Sequence, residues 1–344
     1  MPYYKHMLVE FRNVFNFYDL EVVVRSKSEE LYKRLNLDFS NFIVEDPSEV
    51  FLEIECFKES PPLDRIGNAK ITRTSSNSIT HDQGPIRFNN YFEQGLTIFD
   101  YDVEKSKIYS LDIEFLHELT YLIILSRVGK RLDLLGLHRI HAMGVQIGDV
   151  SCLCMFPMGG GKSTLLANLL NYDDVKIISD DSPLINTRGE FLNFAIRLGV
   201  APELIKNIKN PDENIYSLTR RQYGKKELIS LEGISNELAS KSKRQVLIQG
   251  KRIKGSTSRL HKARLDQKIY SLMINMVIGI GLPMIFEYFW ENGFTDFLRK
   301  SKIACLRFFA MIRVLFKSDF YIFETGDEPI KNAKILYEFL KEKS

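Results

Sequence analysis

The sequence predicts an α/β protein with α+β elements: a small, mostly β N-terminal module, then a larger domain built on a mixed sheet. Three observations support this. Residues up to about 110 alternate short strand-like runs with turn signals, as in Val50-Phe51-Leu52-Glu53-Ile54. Residues 150–155 form an uncharged run of strand length, which passes through a glycine-rich turn into a Leu-rich stretch without Pro or Gly. Immediately upstream, the strand-like run Ile140-His141-Ala142-Met143-Gly144-Val145-Gln146-Ile147 and that strand flank Gly148-Asp149, a two-residue hairpin turn. An antiparallel neighbour beside the strand that feeds a glycine turn distinguishes this sheet from the all-parallel arrangement.

At 344 residues the chain is long enough for one large domain or two ordinary ones. A hydrophobic fraction of 44% and a charged fraction of 26% are those of a soluble globular protein. The net charge of +3 is too small to imply nucleic acid as a partner. Cys56, Cys152, Cys154 and Cys305 have no disulfide or zinc spacing, so reduced thiols and a cytoplasmic location are expected. The opening residues lack the basic-then-apolar layout of a signal peptide. Residues 269–286 carry no charge, but Asn275, Gly279, Gly281 and Pro283 mark a buried helix ending in a turn rather than a membrane span.

In order along the chain, residues 20–24 and 50–54 read as strands and 28–37 as a helix, with Leu31, Tyr32 and Leu35 on one side. His81 beside Asp82 reads as a solvated turn. The module spans residues 1–110. A connecting helix and linker follow over 111–135, with Ser110 as the N-cap, a stripe of Phe115, Leu119 and Leu122, and 129–136 as the linker. Residues 136–344 form the larger domain. Within it, 175–179 is a buried strand ending in Asp180-Asp181, and 191–200 is a strand carrying Arg197. Residues 206–244 are polar, with Arg220, Arg221, Lys225 and Lys226 open to phosphate contact. Residues 241–268 hold ten Lys or Arg against Asp266 alone. Residues 298–317 form a basic amphipathic helix, with Cys305, Phe308, Phe309, Ile312 and Phe316 facing the core and Arg307 and Arg313 facing water. Contact of that helix with a membrane surface is a minor option. A short strand and a helix over 329–341 close the chain.

The chemistry concentrates at Gly159-Gly160-Gly161-Lys162-Ser163-Thr164, a P-loop (Walker A) pattern. Glycines let backbone N–H groups converge on phosphate oxygens, and the helix start adds partial positive charge. Lys162 is placed to reach the β- and γ-phosphates of ATP, and the Ser163 hydroxyl to ligate Mg²⁺. Phe156 stands where the consensus has its first glycine, which implies a reshaped loop mouth or a loop that has lost nucleotide. Aspartates at the end of the next strand, Asp180 and Asp181, sit where metal and attacking group are handled.

The stretch from about His138 to Gly199 resembles the catalytic domain of the HPr kinase/phosphorylase family and its shorter relatives, which share a sheet with phosphoenolpyruvate carboxykinase. The resemblance rests on His141 on the hairpin, the glycine loop with Lys162-Ser163, Asp180-Asp181 ending the next strand, and Ile196-Arg197-Leu198-Gly199. It implies an HPr-kinase-like P-loop fold and an ATP- and Mg²⁺-dependent kinase acting on a hydroxyl acceptor, a protein serine or a small metabolite. Asp180, Asp181, His141 and Arg197 would be catalytic, residues 159–164 would bind nucleotide, and Ser163 with the two aspartates would hold the metal. One aspartate would accept the hydroxyl proton while the other serves the metal. His141 would position substrate or the Asp pair, and Arg197 would steady phosphates. Thr164 stands where the HPr kinases carry an acidic residue, and their long signature segment is absent. The alternatives are a nucleotide-binding sensor or scaffold with little turnover, or a simple NTPase. Assembly into a homo-oligomer is left open.

Overall fold

The computed structural model describes residues 10–157, 159–200, 202–207, 215–220, 224–230, 237–255, 257–280, 282 and 294–344. The chain is a mixed α/β protein and divides into two compact units, 1–128 and 129–344.

The first unit is organised on an eight-stranded sheet. Its elements are β1 (Phe11–Phe17), β2 (Leu20–Ser26), α1 (Glu29–Asp38), β3 (Val50–Phe57), β4 (Lys70–Thr74), β5 (Ile79–Gln83), β6 (Ile86–Asn90), β7 (Leu96–Asp100) and β8 (Lys105–Tyr109). The strand order is β1-β2-β3-β8-β7-β6-β5-β4, with β2, β3 and β8 parallel and the other pairs antiparallel. Strand β3 shows why alternation is legible. Leu52, Ile54 and Cys56 turn inward while their neighbours stay partly open to water. Helix α1 is capped by Ser28, whose hydroxyl accepts from Leu31 N at 3.3 Å. His81 and Asp82 lie within β5 rather than in a turn, and Asp82 takes a two-point bond from Arg87.

Helix α2 (Ile113–Leu134) starts later and runs further than the sequence suggests. Asp112, not Ser110, caps it. Its Oδ1 accepts from Glu114 N at 2.9 Å, while the Ser110 hydroxyl takes Asp112 N instead. Residues 129–134, expected as linker, continue the helix.

The second unit follows as β9 (Leu137–Arg139), β10 (Met143–Ile147), β11 (Val150–Met155), α3 (Lys162–Leu169), β12 (Val175–Ser179), β13 (Leu184–Asn186), β14 (Phe191–Leu192), β15 (Leu198–Val200), β16 (Ile215–Arg220), β17 (Gly224–Ile229), β18 (Arg244–Arg252), β19 (Arg259–Lys262), α4 (Leu265–Leu272), α5 (Phe294–Lys317), β20 (Ser318–Thr325) and α6 (Pro329–Lys343). Its central sheet has the order β12-β10-β11-β18-β20-β19. The β10–β11 hairpin turns at Gly148-Asp149, and β11 runs antiparallel to β10 but parallel to β18. β12 pairs antiparallel with β10 on the far side.

The β10 and β11 strands of this sheet are buried on both faces. Cys152 and Cys154 share one side of β11 with Leu165, Leu166 and Leu169 of α3 and Leu336 and Leu340 of α6. Leu153 and Met155 look the other way, toward Leu272, Met276, Ala310, Met311 and Val314. Strands sandwiched between helical layers have no polar face, which is why β11 reads as an unbroken apolar run. Residues 191–200 are not one strand. Phe194 N bonds Ile178 O and Ser179 Oγ donates to Phe194 O, bending the segment between β14 and β15. Arg197 sits in that irregular stretch. Of the expected phosphate-contact cations, Arg221 lies outside the described residues, as do the side chains of Arg220, Lys225 and Lys226.

On α5 the expected faces are exchanged in part: Arg313 faces water and Ile312 packs against the core as expected, whereas Arg307 turns inward. Arg307 is fully buried, and its Nε and Nη2 donate to Asp133 Oδ1 and Oδ2 at 2.9 and 2.8 Å. His138 Nδ1 lies 2.9 Å from the same Oδ1. Burial alone would raise the Asp133 carboxyl, but the Arg307 charge and the His138 hydrogen bond outweigh it and hold it at about 2. Cys305, Phe308, Phe309 and Phe316 lie on the solvent side instead.

Among the described residues, no helix is long and apolar enough to cross a membrane.

Candidate functional site

The glycine turn leaves the C-terminal end of β11 and enters α3, at the mouth of the mixed sheet. Gly159 and Gly161 have φ of +71° and +96°, backbone that a side chain strains. A Cβ at either would meet nothing within 4 Å, so these two glycines serve the path of the chain and face open space. Gly160 N is used within the turn, donating to Pro157 O at 2.9 Å. Lys162 and Ser163 then open α3, and Asn168 Nδ2 donates to Thr164 O at 2.7 Å to tie the first turn down.

Phe156 does not shape the mouth of the loop. Its side chain is 1% exposed and belongs to the core on the α3 side of the sheet. The ring lies directly over Gly250 of β18, where any Cβ would collide with it. The consensus glycine is replaced here by an apolar anchor for the start of the loop, not by a plug.

The Asp pair is set by the turn after β12. Ser179 Oγ accepts from Ser182 N at 3.2 Å, and Ala142 N donates to Asp181 O at 3.2 Å, locking the turn to the residues before β10. His141 precedes β10 rather than lying within it, and its N–H donates to Asn275 O at 3.0 Å. The two carboxylates point to different partners. Ser163 Oγ donates to Asp180 Oδ1 at 3.2 Å, and Gly199 N lies 3.4 Å from Asp180 Oδ2. Lys162 Nζ is 2.6 Å from Asp181 Oδ1, and His141 Nε2 is 3.2 Å from the same oxygen. Lys162 Nζ and His141 Nε2 also touch, closing a three-member cluster. As an imidazolium His141 donates to Asp181. As a neutral ring it accepts from Lys162.

Electrostatics follow from this clustering. Partial burial pushes the Asp181 carboxyl upward, but the His141 hydrogen bond and the Lys162 charge outweigh it, holding the group well below the usual carboxylate range. Its side chain remains 37% exposed and so open to an incoming group. Asp180 is buried.

Direct contacts therefore gather His141, Lys162, Ser163, Asp180 and Asp181. Arg197 lies two residues before Gly199, whose N–H approaches Asp180, and its own Nη1 donates to the Tyr216 hydroxyl at 3.0 Å. Tyr216 goes unnoticed in the sequence, and Asn275 reads there only as part of a buried helix. Neither carries a motif, and only β16 and the π turn over Met273–Ile278 bring them close.

Among the described residues no group of three His, Cys, Asp or Glu side chains forms a metal cage. Ser163 Oγ beside Asp180 Oδ1 offers two hard oxygens, the donor set that suits Mg²⁺ when waters and phosphate complete it. Asp181 pairs instead with Lys162 and His141.

These features define a mixed α/β protein with a strand–glycine turn–helix and an acid pair at the end of the edge strand β12, two places from β11 in the sheet. Comparison with protein-family models and with curated proteins gives no match.

Proposed function

We propose that this chain is an ATP- and Mg²⁺-dependent kinase of the HPr-kinase-like P-loop type, transferring a phosphoryl group to a hydroxyl acceptor. The observation that carries the reading is the pairing of Lys162 with Asp181 at 2.6 Å and of Ser163 with Asp180 at 3.2 Å, at the start of one helix. The antiparallel β10 beside β11 supports the likeness in fold, because an ordinary nucleotide-hydrolase sheet is parallel there.

The two aspartates divide the work by their partners. Ser163 and Asp180 would hold Mg²⁺, which would supply positive charge to offset that of the phosphates. Lys162 sits at the N-terminus of α3, where helix amides and the ammonium together favour a phosphate. Without nucleotide, Asp181 occupies the ammonium. A phosphate that draws Lys162 toward itself leaves Asp181 with less cationic charge, and its pKa rises toward that of a working base. His141, 3.2 Å from that carboxylate, orients it toward the acceptor hydroxyl. Thr164 stands where HPr kinases carry an acid, so the acceptor proposed is a protein serine or a small metabolite rather than HPr itself.

The test is calorimetric titration with ATP and Mg²⁺. The parent chain binds, Lys162→Ala loses affinity at least tenfold, and Asp180→Asn loses the dependence on Mg²⁺. A parent chain that binds no nucleotide overturns the reading.

A further inference from the structure

Helix α5 has two apolar faces, and the core uses one. Ile303, Ala310, Met311 and Val314 turn inward, the last three into the core on that side of the sheet. The other face repeats at helical spacing through Cys305, Phe308, Phe309 and Phe316, while Ile312 packs against the core. Phe308, Phe309 and Phe316 are 42%, 60% and 84% exposed. Three phenylalanines in one solvent-facing line are not the scattered apolar residues of an ordinary surface.

Among the described residues the exposed charges on α5 are cations, and the acid that α4 contributes, Asp266, is paired with Arg264. Residues 298–317 contain six Lys or Arg and no Asp or Glu. Lys302, Arg313 and Lys317 are exposed on the helix. Arg313 spends its hydrogen bond on the Thr187 carbonyl, an uncharged partner. Helix α4 covers the same face of the sheet and contacts α5. It adds exposed Leu265, Ile269 and Tyr270, with Lys268 beside them and Lys262 just upstream. Apolar aromatics framed by cations on an outer helix are the pattern that lies in a lipid–water interface.

We propose that the outer face of α5, widened by α4, docks on an anionic phospholipid surface, with Phe308, Phe309 and Phe316 entering the headgroup region and Lys302, Arg313 and Lys317 meeting lipid phosphates. Charge selects this occupant over a second copy of the chain, because an isologous pair would bring two cationic faces together. The dock is independent of nucleotide chemistry and places the enzyme's outer helical layer on a membrane without crossing it.

Flotation of the full chain tests this, with vesicles of phosphatidylcholine alone and of phosphatidylcholine mixed with phosphatidylserine. The parent chain floats with the mixed vesicles only, and added salt releases it. Phe309→Ser and Phe316→Ser each weaken vesicle binding about tenfold, and Lys302→Gln weakens it about fivefold. All three positions are exposed, and unchanged circular dichroism confirms folded variants. No flotation with phosphatidylserine, or flotation unchanged by the phenylalanine substitutions, overturns the proposal. Dimerisation that Phe316→Ser abolishes, with no vesicle binding by the parent, also overturns it and assigns the stripe to a second copy.

Discussion

Replacing Phe156 tests how the loop is anchored. The sequence pattern alone suggests that Phe156→Gly restores a consensus glycine and leaves activity equal or higher. The packing argues the reverse. Phe156 is essentially fully buried, and its ring fills the space above Gly250. Truncating a buried Phe costs about 3–5 kcal/mol, and glycine adds about 0.5–1 kcal/mol of backbone entropy. Against a typical stability of about 5–15 kcal/mol, Phe156→Gly lowers the unfolding midpoint sharply and loosens the start of the loop. Urea unfolding of Phe156→Ala and Gly250→Ala, singly and together, isolates the contact. Gly250→Ala alone overpacks the site and costs about 1–3 kcal/mol. In the Phe156→Ala background the collision is gone, so the same change costs little and the cycle is strongly non-additive. A Phe156→Ala cost below about 1 kcal/mol, or an additive cycle, refutes the anchoring role.

Other outcomes follow from the same geometry. Asp133→Asn leaves Arg307 buried without its counter-charge and costs about 3–5 kcal/mol in denaturant unfolding. The folded Asp133 value of about 2 lies below its ordinary 3.8, so its stabilisation is full above that ordinary value and fades as pH falls toward 2. The stability gap between parent and Asp133→Asn therefore narrows below about pH 4, and a gap independent of pH contradicts this. Gly161→Ala forces a side chain onto a φ of +96°, so it weakens ATP affinity and lowers the melting temperature even though the added methyl meets open space. An unchanged melting temperature in a thermal scan rules that strain out.

Much of the second unit's frame was legible because it is written in local chemistry. The Gly148-Asp149 turn, the uncharged β11 and the Leu-rich α3 each state their own structure within about ten residues. The Asp pair was legible for the same reason, since it ends a short apolar strand. What each aspartate faces was not. Lys162 and His141 meet Asp181 only because β12 pairs with β10 rather than with β11. Phe156 looked like a defect in a loop because its partner, Gly250, lies on β18, far along the chain. On α5 two apolar stripes compete, and periodicity cannot say which one the core takes. Arg307 decides it, and its partner Asp133 belongs to a helix far upstream. Residues 191–200 carry strand-like composition, but side-chain and backbone bonds around Phe194 bend them.

The rate at which Asp181→Asn passes labelled phosphate from ATP to an acceptor found in cell extract tests the proposed chemistry most directly. The substitution removes the charge that occupies Lys162 while keeping the shape of the side chain, so ATP binds at least as tightly as in the parent. Loss of the base slows transfer by about a hundredfold or more. A parent chain that labels no acceptor, or an Asp181→Asn chain that transfers at the parent rate, contradicts the proposed chemistry.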